Sequence, residues 1–327
     1  MPLIEDSSYR APFGFYSGHL QTIYPALFRK LPYVTTERER LLTADDDFID
    51  LDWARATPAR KLAVLTHGLE GSSRGPYVQG MGGALLRSGW NVLAWNFRGC
   101  SGEPNRQLQS YHSGATHDLQ AVLDHALGTG NYENVALIGF SLGGNITLKY
   151  TGDQGPAIDP RVRAAVGLSV ACHLASSARR LENWENRIYM RRFLKTLRHK
   201  VRHKMRHFPD QLDDTGLDAM RTFRQFDGAY TAPIHGFASA DDYWQQSSCL
   251  SVLDNVAIPT LLINAQDDPF LTSECFPTHL ARKHPHFTLE TPRHGGHMGF
   301  VRFNPKKEYW SEQRVVAFLE ESLAPRI

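Results

Sequence analysis

The chain has 327 residues, 42% of them hydrophobic and 21% charged, with a net charge of +2. That length and apolar content supply a sizeable core, and the near-balanced charge removes bulk attraction to nucleic acid as a basis for function. Cys100, Cys172, Cys249 and Cys275 lie far apart, with neither a C-x-x-C pair nor metal-ligand spacing, and read as free thiols in a reducing compartment.

Residues 1–10 carry two acids and no apolar core, so they do not read as a signal peptide. No run approaches the ~20 apolar residues needed to cross a bilayer, and a cytoplasmic protein is expected. Residues 33–42 and 48–54 flank Ala44-Asp45-Asp46-Asp47 and predict a hairpin with an acidic turn. Residues 62–66 predict a short buried strand, followed by a Gly-rich loop and a helix over 78–87. A strand is expected at 91–96. In 115–127, Leu119, Val122, Leu123 and Ala126 recur at helical spacing, and Gly128 and Gly130 end the pattern. Strands are then expected at 135–138, 164–170, 260–264 and 287–290, with a closing helix over 310–323. Alternating apolar strands and amphipathic helices predict an α/β fold, a mostly parallel central sheet with helices on both faces.

A long insertion separates two of these strands. The expected division is a core of 1–172 and 260–327 with a helical lid or cap insertion of 173–259, forming one domain. Segment 179–207 holds eleven Lys and Arg against two Glu. Within it Met190, Leu194, Leu197, Val201, Met205 and, just beyond, Phe208 follow at steps of three and four, an apolar stripe on a basic helix. The plain expectation is a lid laying that stripe over a site with its charges in solvent. The alternative is a surface that meets anionic lipid or an acidic substrate. His199, His203 and His207 recur every four residues, about 200° around the helix from Leu197, Val201 and Met205, and so are expected to face away from the stripe. No carboxylate or cysteine joins them at ligand spacing, so no metal is expected.

The segment richest in chemistry is Ile138-Gly139-Phe140-Ser141-Leu142-Gly143-Gly144, a G-x-S-x-G run between an apolar strand and the helix-compatible 145–150. Glycines at those spacings clear room for a turn tight enough to lift the Ser141 hydroxyl off the sheet. A serine hydroxyl becomes a useful nucleophile when an imidazole accepts its proton and a carboxylate fixes that imidazole's tautomer. Two acids, Asp267 and Asp268, follow the 260–264 strand, and two histidines, His294 and His297, follow the 287–290 strand. Asp268 is favoured because Pro269 stiffens its backbone, leaving Asp267 to cap the following turn. His297 is favoured because it lies after Gly295-Gly296, where the chain is freest to fold back, leaving His294 to loop packing or solvent. Backbone N–H groups of Leu142 and of Leu69, in His67-Gly68-Leu69-Glu70-Gly71, are the expected oxyanion donors. His67 is expected to order that loop rather than move protons.

Five segments together carry a resemblance: His67–Ser73, Asn96-Phe97-Arg98-Gly99-Cys100-Ser101-Gly102, the Gly139–Gly144 turn, Asn264–Pro269 and His294–Gly299. With Ser17-Gly18-His19-Leu20-Gln21-Thr22 and residues 223–230, they resemble the AB-hydrolase-4 family and its YheT-like bacterial esterases. The resemblance implies an α/β-hydrolase fold and a Ser141–Asp268–His297 triad. It also implies a serine esterase or lipase, a carboxylic ester hydrolase that forms an acyl-enzyme and needs neither cofactor nor metal. Expected partners are small-molecule acyl esters or lipids, without nucleic acid and with room for peripheral contact with an anionic membrane. The same machinery suits a thioesterase or amidase, and the scaffold alone suits a non-catalytic binding protein. Nothing in the sequence speaks to oligomeric state.

Overall fold

The computed structural model describes residues 3–31, 34–56 and 60–324. Residues 1–2 of the N-terminal segment and Tyr33, where the expected hairpin begins, lie outside them. Nine strands form one sheet: β1 (Leu3–Ile4), β2 (Glu37–Leu42), β3 (Phe48–Ala54), β4 (Lys61–Thr66), β5 (Asn91–Trp95), β6 (Asn134–Phe140), β7 (Val162–Leu168), β8 (Thr260–Ile263) and β9 (Phe287–Glu290). Their order is β1-β9-β8-β7-β6-β4-β5-β3-β2. From β1 to β5 all neighbours are parallel, while β3 runs antiparallel to β5 and β2 to β3. The central strands are buried on both faces, which is why they read as unbroken apolar runs.

Period-two alternation splits those runs between two cores. Ala63 and Leu65 of β4 and Ala136 and Ile138 of β6 face one cluster, while Leu62, Val64, Val135 and Leu137 face the other. The first is covered by α2 (Pro76–Arg87) through Val78, Met81 and Leu85, and by the C-terminal helix (Trp310–Leu323) through Val315, Phe318 and Leu319. The second is covered by α3 (Thr116–Thr129) and α4 (Leu142–Gln154), using the apolar positions legible at helical spacing. The acidic hairpin turn is neutralised from inside. Buried Arg98 pairs with Asp45 at 2.5 Å, Asp47 at 3.3 Å and Asp118 at 2.8 Å.

Between β7 and β8 the chain forms α5 (Leu174–Leu181), α6 (Arg187–Met205), two short turns α7 (Phe223–Phe226) and α8 (Ala232–Ile234), and α9 (Ala240–Ser247). These bury their own apolar cluster, in which the α6 stripe (Met190, Leu194, Val201) meets Phe223, Phe226, Tyr230 and Trp244. Beyond β8, α10 (Thr278–Lys283) precedes β9, and the helix over Trp310–Leu323 is α11.

Besides the six-residue α10, two elements outside the insertion have no counterpart among those expected from the sequence. The first, β1, is a two-residue edge pairing with β9. The other is α1 (Gly18–Phe28), which buries Gly18 and Gln21 and leaves its leucines outside. Pro25 lies inside this helix, and a proline within a candidate run reads as a break.

Candidate active site

Parallel strands place their C-terminal ends along one edge, and four candidate segments follow β4, β6, β8 and β9 there. The turn between β6 and α4 holds Ser141 at φ 54° and ψ −118°, a left-handed conformation that costs about 1–3 kcal/mol for a residue with a side chain. The turn is tolerated because Gly139 and Gly143, two residues to either side, have no side chains. A Cβ on Gly139 would run into the Gly143 carbonyl and Thr147 Oγ1, and one on Gly143 into the carbonyls of Thr66 and His67. Ser141 N–H is anchored to Leu168 O at 2.8 Å.

His297 Nε2 lies 2.8 Å from Ser141 Oγ, and His297 Nδ1 lies 2.8 Å from Asp268 Oδ2. A carboxylate accepts only, so Nδ1 carries the proton and Nε2 presents a lone pair to the serine hydroxyl. Phe270 packs on the imidazole with ring centroids 4.2 Å apart. The two acids exchange the roles expected outside the triad. Asp268 also makes the turn, its Oδ1 accepting Phe270 N–H at 2.9 Å. Asp267 instead clamps the histidine loop, accepting Gly296 N–H at 2.8 Å on Oδ1 and facing His294 Nδ1 at 3.3 Å. Burial raises the Asp267 carboxyl above its usual range, and the Gly296 and His294 contacts oppose that. Asp268 thus engages both carboxylate oxygens, Oδ1 with the Phe270 N–H and Oδ2 with the imidazole.

The residues that hold His297 in place carry no catalytic signature in the sequence. Gly296, at φ 56°, packs so closely on the Gly18 carbonyl that no side chain fits. One turn on, Thr22 Oγ1 accepts His297 N–H at 2.9 Å. Gln21, wholly buried, accepts Val301 N–H on Oε1 at 3.0 Å and donates from Nε2 to Phe15 O at 2.9 Å. From the sheet side, Ser169 Oγ accepts Met298 N–H at 2.8 Å. The signal for the first group was present as Ser17-Gly18-His19-Leu20-Gln21-Thr22, without a physical role attached to it.

His67 does order its loop. It is wholly buried, donates from Nδ1 to Gly68 O at 2.8 Å and accepts Phe97 N–H on Nε2 at 3.1 Å. Burial pulls its pKa down to about 3, so it stays neutral. In the same run Gly68 N–H donates to Tyr77 Oη, Glu70 N–H to Tyr111 Oη and Gly71 N–H to Gly68 O. Leu69 N–H has no such partner among the described residues, and Leu142 N–H heads the first turn of α4, where helical N–H groups have no intrahelical acceptor. Leu69, Leu142, Ser141 and His297 all line one cavity of about 360 Å³. Its far wall comes from the insertion, including Leu181, Phe193, Leu197, Phe226 and Trp244.

The basic helix departs from expectation at two lysines. Lys200 Nζ turns inward and donates to Glu70 Oε1 at 2.7 Å and to Cys100 Sγ at 3.0 Å, beside the Leu69 loop. Lys204 is buried, donating to the carbonyls of Asn105, at 2.9 Å, and Gln107; burial brings its pKa down to about 8. Charge composition predicts solvent for both, but a four-carbon stem lets an ammonium reach carbonyls and a carboxylate beneath the helix. His199 and His203, expected to face away from the apolar stripe, line the cavity wall next to it. Among the described residues no group of three or more His, Cys, Asp or Glu could hold a metal ion, and no helix is long and apolar enough to cross a membrane.

A family model described as the alpha/beta hydrolase fold matches residues 63–302. The chain is 37% identical over 315 residues to the Escherichia coli (strain K12) protein named Putative esterase YheT, covering 94% of this chain and 91% of that one. It is 29% identical over 290 residues to Phospholipase ABHD3 of Bos taurus, covering 86% and 70%. Among solved structures, the Pyrococcus furiosus esterase Pf2001 matches with a TM-score of 0.58 at 17% identity, covering 88% of this chain and 92% of that one; this is a likeness of fold. The chain belongs to the α/β-hydrolase family and, within it, stands with YheT-like proteins.

Proposed function

We propose that this α/β-hydrolase cleaves carboxylic acyl esters through Ser141, His297 and Asp268. The observation that carries the reading is the relay of two 2.8 Å contacts from Asp268 through His297 to Ser141, opening on an apolar cavity. Ser141 Oγ attacks the ester carbonyl carbon as its proton passes to His297 Nε2, and Asp268 stabilises the imidazolium and holds its tautomer. The negative charge that develops on the carbonyl oxygen is met by the N–H groups of Leu69 and Leu142. When the intermediate collapses, the C–O bond breaks and His297 returns the proton to the departing alcohol. Ser141 is left acylated. Water then attacks, His297 takes its proton, and the acid leaves as Ser141 regains its hydrogen.

Segment 173–259 acts as the lid, and the apolar side chains it contributes to the cavity, beside Lys200, Lys204 and Asp227, suit an acyl chain. The names of the relatives, an esterase and a phospholipase, agree with an ester or lipid substrate. The test is hydrolysis of nitrophenyl esters from acetate to palmitate, with Ser141→Ala as blank. We expect kcat/KM to rise from acetate to at least the medium chain lengths. Absence of Ser141-dependent turnover at every length would overturn the reading.

A further inference from the structure

Helix α1 is amphipathic the wrong way round for a free surface. Its inward face carries Gly18, Gln21 and Pro25. The opposite face carries Leu20, Ile23 and Leu27, at steps of three and four. Gln21 is 0% exposed, whereas Leu27 is 65% and the neighbouring Phe28 is 62% exposed. Residues 11–28 contain no Asp, Glu, Lys or Arg. The insertion supplies a second bare group beside the first. His19 of α1 stacks on Tyr189 of α6, with centroids 5.8 Å apart and planes at 8°, and next to Tyr189 stand Trp184 and Ile188, 82% and 72% exposed. Single exposed apolar residues need no explanation, but two groups of large ones flanking one contact mark a surface with an apolar partner.

The charge around these groups says which partner. Exposed Arg187, Arg191 and Arg192 lie on α6 around Ile188, just beyond Trp184, and α6 contains no acid. The nearby Glu185 is matched by Arg180 at 3.0 Å. At the other end, exposed Lys306 and Lys307 follow the exposed Phe303, and the Lys307 carbonyl accepts from Arg29 at the end of α1. Apolar side chains rimmed by cations that have no ion pair among the described residues fit the boundary between acyl chains and anionic headgroups.

We propose that the outward face of α1, with Trp184 and Ile188, docks on an anionic phospholipid surface. The docking helix is the one whose inner face holds His297 through Thr22, so the surface and the candidate active site share a single element. Only the consequence, that an acyl ester is taken from that surface into the cavity, rests on the ester-hydrolase reading; binding itself does not.

The test is vesicle flotation of the full chain carrying Ser141→Ala, which removes turnover from the measurement. Vesicles contain either phosphatidylcholine alone or phosphatidylcholine with phosphatidylglycerol. A second protein adds Leu27→Gln, Phe28→Gln, Trp184→Gln and Ile188→Gln. All four side chains are exposed, so folding should survive, and this is checked by thermal unfolding and by turnover of a soluble nitrophenyl ester in the Ser141 background. The proposal expects flotation on the anionic vesicles, weak binding to the neutral ones and at least about a tenfold loss of binding in the four-Gln protein, with soluble-ester turnover unchanged. Three results would overturn it: no flotation of the parent, equal flotation of the folded four-Gln protein, or light scattering in which the four substitutions convert a dimer to a monomer, making a second copy of the chain the occupant.

Discussion

Thr22 Oγ1 accepts the backbone N–H of His297 at 2.9 Å, although 275 residues separate them in the chain. The same hydroxyl donates to Gly18 O at 2.7 Å, so its rotamer is set from within α1 and its lone pair is aimed at the histidine loop. The imidazole is thus fixed at three points: its backbone by Thr22, Nδ1 by Asp268 and its ring face by Phe270.

Replacing Thr22 by Val keeps the shape and removes the acceptor. Misplacement of a reacting group by a fraction of an ångström is expensive, and kcat should fall about tenfold with KM little changed. Thr22→Ser should recover most of the loss. Steady-state kinetics on a soluble ester checks both, and a change in KM alone would assign Thr22 to substrate binding.

The two neighbouring aspartates should separate cleanly. Asp268→Asn presents an amide to His297 Nδ1 and favours the wrong tautomer, so kcat should fall by about 10⁴. Asp267→Asn leaves the imidazole's partner intact and weakens the clamp on Gly296, so the expected change is mainly a lower Tm. The reverse order would identify Asp267 as the carboxylate that serves the histidine.

Lys200 joins the insertion to the loop that carries Leu69. Lys200→Met leaves the Glu70 carboxylate, whose side chain is only 7% exposed, without its cation. Lys200 is itself partly exposed, so we expect a loss of roughly 2 kcal/mol rather than the full cost of an orphaned buried charge. Adding Glu70→Gln should restore most of it, a coupling that a double-mutant cycle in urea measures directly. Additive losses would show that the contact does not hold the lid.

Asp227 lies in a single π-helical turn of the insertion and lines the cavity, its carboxylate accepting from Trp244 Nε1 at 2.9 Å and Thr231 Oγ1 at 2.7 Å. Burial raises its pKa from 3.8 to about 6. The folded state therefore holds this proton more tightly than the unfolded chain does. Stability from this group is fully present below pH 3.8, is lost as pH rises through about 6, and stays lost above it. Asp227→Asn should remove that slope and raise stability above pH 6 by up to about 3 kcal/mol. Urea midpoints from pH 4 to 8 test this; an unchanged slope would show that Asp227 is not its source.

What could be read before the fold was known followed physical signals that act locally. The β4 and β6 runs are apolar because both faces are covered, and the Ser141 turn announces itself because no other residue fits at Gly139 and Gly143. Backbone stiffness and loop freedom favoured Asp268 and His297 within their pairs, and these two side chains meet at 2.8 Å. The work of the remaining partners, with Asp267 clamping Gly296 and Asp268 making its own turn, depends on contacts that spacing does not encode. Helix α1 stayed hidden because Pro25 inside it reads as a break, and Lys200 and Lys204 because a basic helix reads as solvated. In each case a long-range partner decides the outcome: the histidine loop for α1, and Glu70 and the Asn105–Gln107 carbonyls for the lysines.

The central claim is that Ser141 becomes acylated. The most direct measurement is rapid mixing with nitrophenyl butyrate, acid quenching and intact-mass analysis followed by peptide mapping. The account predicts one butyryl group per chain, located on Ser141, absent from Ser141→Ala and strongly reduced in His297→Ala. Butyrylation at another residue, or to the same extent in Ser141→Ala, would contradict it.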